Sequence, residues 1–492
     1  MCSVKISESS VLDLSSHYVI LGSGLNAIST VHGVLDNCKV DNKKIFVIDA
    51  SMDKDSNLDK GNGGVRPKMP SPKFRIESNL YVYKNFKSML NLTEDSFHTI
   101  GSLAKGGLSN IWGGSIQPYN EKELSDYPYS YMEIKDTYSK IYKILTDLEI
   151  DFGEFEKGFE GSGSFSTGKP LLAINVKNGS KNSCCLESCD NGCIYCNKNI
   201  FNSGNELDYF ISSNKIEYMP GLFIASISFE QGYYLIKCVE VLSGKSFYIK
   251  AGTVYSCLGA ISTAKVVLGM SNKDSHVPLL TTPGGAFFVY SVRRFHKLDH
   301  KILSSRSFKG EADNQRFDGN IFPFSENLLC TYFGESLGKL ANKLLGPMLF
   351  SRLFIANIYF TSDLSLSTLS NTNNQIKIKS EVVSSLKLSF KKAMGIIKKG
   401  LHSEGLWMLP FGKKILRPGQ DVHYGGLIPM KRDPAENQCD FNGELHGFSN
   451  FYIADSASMP FMASKGHSFN SMVNAYYIAS KSIKRETKQI IS

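Results

Sequence analysis

Long apolar runs are scarce in this sequence. The longest, residues 344–360, is interrupted by Pro347 and Arg352. That makes it a poor membrane span, which needs about 20 consecutive apolar residues; a surface-seeking amphipathic stretch is the remaining membrane option. The first 24 residues carry neither a basic n-region nor a signal-type apolar core, so a cytoplasmic location is expected. Internal repeats and low-complexity tracts are also missing, and with 21% charged residues the composition is globular rather than fibrous or disordered. Paired cysteine motifs are missing as well. The 11 cysteines are an odd number, and five of them crowd between Cys184 and Cys196, which is not a secreted disulfide framework and fits a reducing compartment. No nucleic-acid recognition motif accompanies the net charge of +9. The lysines and arginines are scattered, with small clusters at Lys391-Lys392 and Lys398-Lys399, and read as a solvated basic surface with some affinity for anionic substrates or membranes.

Glycine is what the chain has in patterned abundance. The stretch from Gly101 to Tyr119 holds Gly106, Gly107, Gly113 and Gly114, with Ser109, Asn110 and Trp112 set between them. Glycine lets backbone pass flush against a flat or charged ligand because no Cβ holds it off. Earlier, residues 18–21 form a β-prone run that leads straight into Gly22-Ser23-Gly24-Leu25-Asn26-Ala27, and residues 28–35 continue as a helix. In that strand–turn–helix, Gly22 makes the tight turn and Gly24 admits a pyrophosphate. Ala27 keeps the helix close to the strand, and the helix N-terminus faces the phosphate charge. Residues 44–48 read as the next parallel strand, ended by Asp49 at the spacing expected of a ribose-binding acid.

Residues 121–151 carry a helical stripe of Tyr131, Ile134, Tyr138, Ile141, Tyr142 and Leu145, which is core packing. Strands are expected at 222–227, 233–241 and 246–249. Gly259 and Ala260 then turn into a helix over 262–268, a second place where chain passes a cofactor. Near the end, His423 sits against Gly425 and Gly426. A strand over 450–454 runs into Asp455, and Gly466-His467-Ser468-Phe469-Asn470 opens a long helix. A helix N-terminus with His, Ser and Asn in its first turn suits anionic or hydroxyl oxygens. The cysteine cluster carries no expected metal site. Cys185, Cys189, Cys193 and Cys196 are the candidate ligands for zinc or an iron–sulfur cluster, and a redox-active disulfide and plain packing stay open beside them.

Five of these segments, in this order over most of the chain, resemble the glucose–methanol–choline oxidoreductases, which bind FAD. They are GSGLNA with Asp49, KGGLSNIWGGS, YSCLGAISTAKVVL, HYGGLIPM, and NFYIADSASMP with the terminal helix. The cysteine stretch also resembles a segment of some members. The resemblance implies a mixed α/β fold: a Rossmann-like FAD-binding domain made discontinuously of 15–125, 200–275 and 440–492, a cysteine-containing connection over 126–199, and an interleaved sheet-containing substrate domain over 276–439 that ends in the catalytic His loop. It further implies that Gly22, Gly24 and Asp49 hold the ADP half of FAD, and that Gly106, Gly107, Ser109 and Asn110 line the pyrophosphate and ring. Gly259 and Ala260 would lie by the adenine end and Asp455 near the ribityl and pyrophosphate. His423 matches the catalytic base, and His467, with Asn470 in reserve, matches a second catalytic position. Ile111 stands where some sugar oxidases place a flavin-linked His, so FAD is expected to be non-covalent. The implied substrate is an alcohol or carbohydrate-like molecule, with an unidentified electron acceptor. A flavin-binding scaffold without catalysis, and electron transfer through the cysteine segment, are the rival readings.

Overall fold

The computed structural model describes residues 11–38, 43–52, 85–162, 164–174, 200–271, 274–292, 304–323, 340, 343 and 352–491. The cysteine cluster and residues 53–84 lie outside the described residues.

A parallel sheet organises the chain. Strand Val11–Leu21 lies between Ile45–Ile48 and Ser246–Ser256, Glu217–Met219 extends one side, and Phe451–Ile453 joins the other. All of these run the same way. Their central residues, such as Val19, Ile20, Val47, Val254 and Ile453, are fully buried, as expected of strands covered on both faces. The register brings the carboxyl ends level: Leu21 opposes both Ile48 and Ser256, Ile48 opposes Met219, and Ser256 opposes Ile453. An antiparallel hairpin, Leu222–Glu230 with Tyr233–Glu240, completes the sheet. Its turn, Gln231-Gly232, has φ of 51° and 84°, the doubly left-handed turn that matches strand twist.

Helix Leu25–Asn37 packs on this sheet and against the last helix, Ser468–Ile491. The two axes approach closely at Gly33, where a Cβ would stand 2.8 Å from that of Ala479. Helix Tyr131–Thr146 begins with a reciprocal cap between Ser130 and Glu133. Its stripe of Ile134, Tyr138, Ile141, Tyr142 and Leu145 forms a second core with Phe469 and Val473 of the last helix.

A second sheet is antiparallel, in the order Leu406–Met408, Gly284–Ser291, Leu353–Phe360, Gln315–Pro323, Arg306–Ala312, Phe165–Gly168, Glu160–Ser162, with Lys414–Ile415 also paired to Gly284–Ser291. Side chains alternate across it. Phe354, Ala356, Ile358 and Phe360 pack with Leu386, Phe390 and Ile397 of helix Ser384–Ser403, while Ile355, Asn357 and Tyr359 face a cavity. A small third sheet joins Ser275–Pro278, Leu366–Thr372, Gln375–Glu381 and Leu92–Asp95. The fold is mixed α/β, as the sequence implied. Among the described residues, no helix is long and apolar enough to cross a membrane.

Candidate active site

Because the parallel strands end level, the residues that follow them meet at one edge. Gly22, Asp49, Gly259 and Ser456 all line one cavity of about 1150 Å³, which runs between the edge of the parallel sheet and the face of the antiparallel one. Gly22 has φ of 100°, and a Cβ there would stand 2.5 Å from the Cys257 carbonyl oxygen, so only glycine fits. Helices Leu25–Asn37 and Ala260–Met270 start at Gly24 and Gly259 without side-chain caps. A Cβ on either glycine would meet nothing within 4 Å. Both helix starts therefore open to the cavity with first-turn N–H groups lacking intrahelical partners, an arrangement that suits phosphate oxygens.

Ser23, the unremarked residue of the glycine turn, joins three motifs. Its hydroxyl donates to Asp49 Oδ2 at 2.8 Å and accepts from the Gly106 N–H at 2.9 Å. Asp49 also accepts from the Ser51 N–H at 3.0 Å, and burial pushes its carboxyl up to about 6. Gly106 and Gly107 have φ of 81° and 56°. Gly107, Ser109 and Ile111 line the cavity, whereas the Asn110 amide turns back to donate to the carbonyls of Lys105 and Gly107 at 2.9 and 2.7 Å. The Trp112 indole donates to the Phe201 carbonyl at 2.8 Å. Ala27 is fully buried in the sheet core rather than on the cavity wall. Asp455 is a latch: its Oδ2 accepts from the Gly259 N–H at 2.9 Å and the Thr263 hydroxyl at 2.5 Å, and its Oδ1 accepts from the Ala457 N–H at 2.8 Å. Burial raises it to about 6.

The chemistry-bearing end holds two imidazoles. His423 and His467, 44 positions apart, meet edge to face with ring centroids 5.0 Å apart, and both line the cavity. Burial and the neighbouring His467 hold His423 well below the ordinary histidine range, and burial lowers His467 to about 4. Both are neutral at neutral pH, as a proton acceptor must be. Asn470 does not join them. Its amide is committed away from the cavity, accepting from the Tyr119 N–H at 2.9 Å and the Tyr138 hydroxyl at 2.6 Å and donating to the Gln117 carbonyl at 2.9 Å. It braces the last helix, and that commitment leaves His467 to face the cavity.

The sequence reading missed several residues packed around His423. Tyr359 stands 5.0 Å from His423 between ring centroids. Thr282 bonds the His423 Nδ1 through its hydroxyl. Asp421 precedes a strained Val422, whose φ is 58°, a value rare for β-branched residues. None of them belongs to a glycine motif, and Val422–His423 alone offers no sequence signal for a distant threonine.

No family model matches the sequence, and neither does any curated protein sequence. Among solved structures, pyridoxine 4-oxidase from Mesorbium loti superposes with a TM-score of 0.60 over 95% of this chain and 99% of that one, at 10% sequence identity. The chain shares the mixed α/β fold of that enzyme. At that identity the likeness carries the fold alone. Within the fold, the cavity wall fits an extended ligand with phosphates at its middle. The two uncapped helix starts face it, and the buried Asn26 Oδ1, His98 Nε2, His467 Nδ1 and Ser471 Oγ on its wall have no hydrogen-bond partner among the described residues. The described residues contain no group of three or more His, Cys, Asp or Glu placed to hold a metal ion.

Proposed function

We propose that the chain is an FAD-dependent oxidoreductase acting on the CH–OH group of an alcohol, with His423 as the base. The observation that carries this reading is the pair of neutral imidazoles 5.0 Å apart on the wall of the same cavity as the glycine turns. Gly22, Gly24 and Asp49 would hold the ADP half of FAD, and Gly107 and Ser109 would run along the pyrophosphate and ring. Gly259 and Ala260 would take the adenine end, with Asp455 holding the Gly259 turn in place. Aliphatic Ile111 forms no bond to the ring, so the cofactor is non-covalent. When bound, FAD supplies the two-electron acceptor for the hydride that leaves the carbinol carbon.

The remaining work falls to the chain. His423 takes the hydroxyl proton as the carbonyl forms, help worth on the order of 10²–10⁴ in rate. His467 holds the reacting oxygen. The sheet face beyond them sorts the rest of the substrate. Asn357 pairs with Asn320 and Ala286, and Ile355 with Phe322 and Phe288. Two residues along a strand span about 6.6 Å, so from the His423–Tyr359 level the wall runs to amides and then to apolar side chains. That order suits an alcohol with a polar middle and an apolar far end.

The test is an absorption spectrum of the purified protein followed by anaerobic addition of alcohols and sugars. Flavin bands that bleach with at least one alcohol are expected. A flavin that binds and never bleaches would leave a scaffold, and a protein that takes up no FAD would remove the reading altogether.

A further inference from the structure

Thr282 connects the proposed base to a buried carboxylate. Its segment is stapled to the His423 loop by a reciprocal backbone pair, Leu280 N–H to the Gly425 carbonyl at 2.9 Å and Gly425 N–H to the Leu280 carbonyl at 3.0 Å. The Thr282 N–H donates to Asp421 Oδ2 at 2.9 Å, and the Thr282 hydroxyl lies 3.5 Å from the same oxygen. On its other side that hydroxyl is hydrogen-bonded to His423 Nδ1. Asp421 and His423 flank Val422, whose left-handed backbone, φ 58°, lets two residues so near in sequence reach one threonine. Strain of this kind persists only where the surroundings over-determine it.

We infer that Thr282, anchored by Asp421, is a positioning residue that fixes which ring nitrogen of His423 carries the proton. The inference rests on the reading of His423 as base. The hydroxyl has one proton and two neighbours able to accept it. Once ionised, as it is above neutral pH, the Asp421 carboxylate is the stronger acceptor, so the hydroxyl then donates to Asp421 and its oxygen accepts from His423 Nδ1–H. A neutral imidazole has a single N–H, and Nε2 is then bare and able to take a proton. The chain Nδ1–H to Oγ1–H to Oδ2 polarises along its length. The titratable groups facing His423 from other elements are His467 and the Tyr359 phenol, each with its ring centroid 5.0 Å away. Asp421 acts through Thr282. Burial pushes Asp421 up to about 7, so its hold on the hydroxyl strengthens as pH rises through neutrality.

Two-bond ¹⁵N–¹H NMR on the histidine-labelled, FAD-loaded protein, with His423 assigned by its loss in His423→Gln, reads the tautomer directly. Wild type is expected to show Nδ1–H with a bare Nε2. Nε2–H with a bare Nδ1 would overturn the inference whether or not any alcohol is ever oxidised, which separates its failure from that of the proposed function. With an oxidised alcohol in hand, Thr282→Val should lower kcat roughly 10²-fold or more while KM moves less than about threefold. Thr282→Ser should restore the rate to within about threefold of wild type. In wild type kcat should rise as pH passes through 7, and in Asp421→Asn that rise should be absent. A Thr282→Val enzyme that keeps both rate and tautomer would refute the role, and should that variant fail to fold, the wild-type spectrum and the serine variant still decide.

Discussion

The two ends of the cavity are built from different material. At the parallel-sheet end the wall is backbone: Gly22, Gly24, Gly107, Gly259 and two uncapped helix starts, with Ser23 and Asp455 tying the turns together. At the antiparallel-sheet end it is side chains: His423, His467, and Tyr359, Asn357 and Ile355 of one strand, projecting from three separate segments. A backbone wall is set by φ and by the absence of Cβ atoms, both written locally in the sequence. A side-chain wall is set by which segments end up opposite one another, so its members are chemically ordinary until the chain is folded.

Predictions follow from breaking each end separately. The largest effect is expected at the side-chain end. His423→Ala should bind FAD with unchanged affinity and lose on the order of 10²–10⁴ in kcat/KM; stopped-flow reduction by a working alcohol measures it, and normal turnover would take the base role away from His423. At the backbone end, Gly22→Ala should cost about 3 kcal/mol in denaturant unfolding, because the new Cβ meets the Cys257 carbonyl at 2.5 Å under a φ of 100°. Its neighbour sharpens the point. Gly24→Ala has open space around its Cβ, so apo stability should change by less than about 1 kcal/mol while FAD affinity falls. Equal loss of stability in both variants would mean that Gly24 shapes the fold rather than the ligand space.

Asp455→Ala should cost about 2 kcal/mol by leaving the Gly259, Thr263 and Ala457 donors unpaired, and it should loosen FAD without altering the imidazole pair. Calorimetry with and without FAD separates those effects; an unchanged melting temperature would contradict the latch. The smallest expected effect is a slope. His467 is lowered to about 4 when folded, against about 6.5 unfolded. The unfolded chain therefore binds the proton first, and stability from this group, present above pH 6.5, is lost as pH falls toward 4. The buried carboxyls of Asp49, Asp455 and Asp421, raised to about 6, 6 and 7, work the other way: their contribution is complete below their ordinary range and fades as pH rises through those values. The acid-side fall in melting temperature between pH 6.5 and 4 should accordingly be shallower in His467→Gln than in wild type. An identical fall would show that His467 is solvated.

The same contrast explains what was legible before folding. The first strand, turn and helix were readable because Tyr18 to Ala27 combine a β-prone run with glycines at fixed spacing, and the structure forms Val11–Leu21 and Leu25–Asn37 there. The strand–turn–helix at Gly259 was readable for the same reason. Asn110 and Asn470 were named for their side chains, and both amides turn inward to brace loops and helices. An amide in a motif shows its chemistry but not its direction. Thr282 and Tyr359 lay in a stretch with no motif, and they matter because the Leu280–Gly425 bridge brings Thr282 to His423 and strand Leu353–Phe360 sets Tyr359 against it.

By itself the sequence determined the positions where backbone has to turn and come close to a ligand, because left-handed φ and missing side chains are properties of single residues. Only the tertiary structure decided which imidazole, hydroxyl and carboxylate meet. That depends on strand register and on loops stapled across nearly 150 positions, such as Thr282 to His423, 141 apart, where no local pattern of residues records the contact.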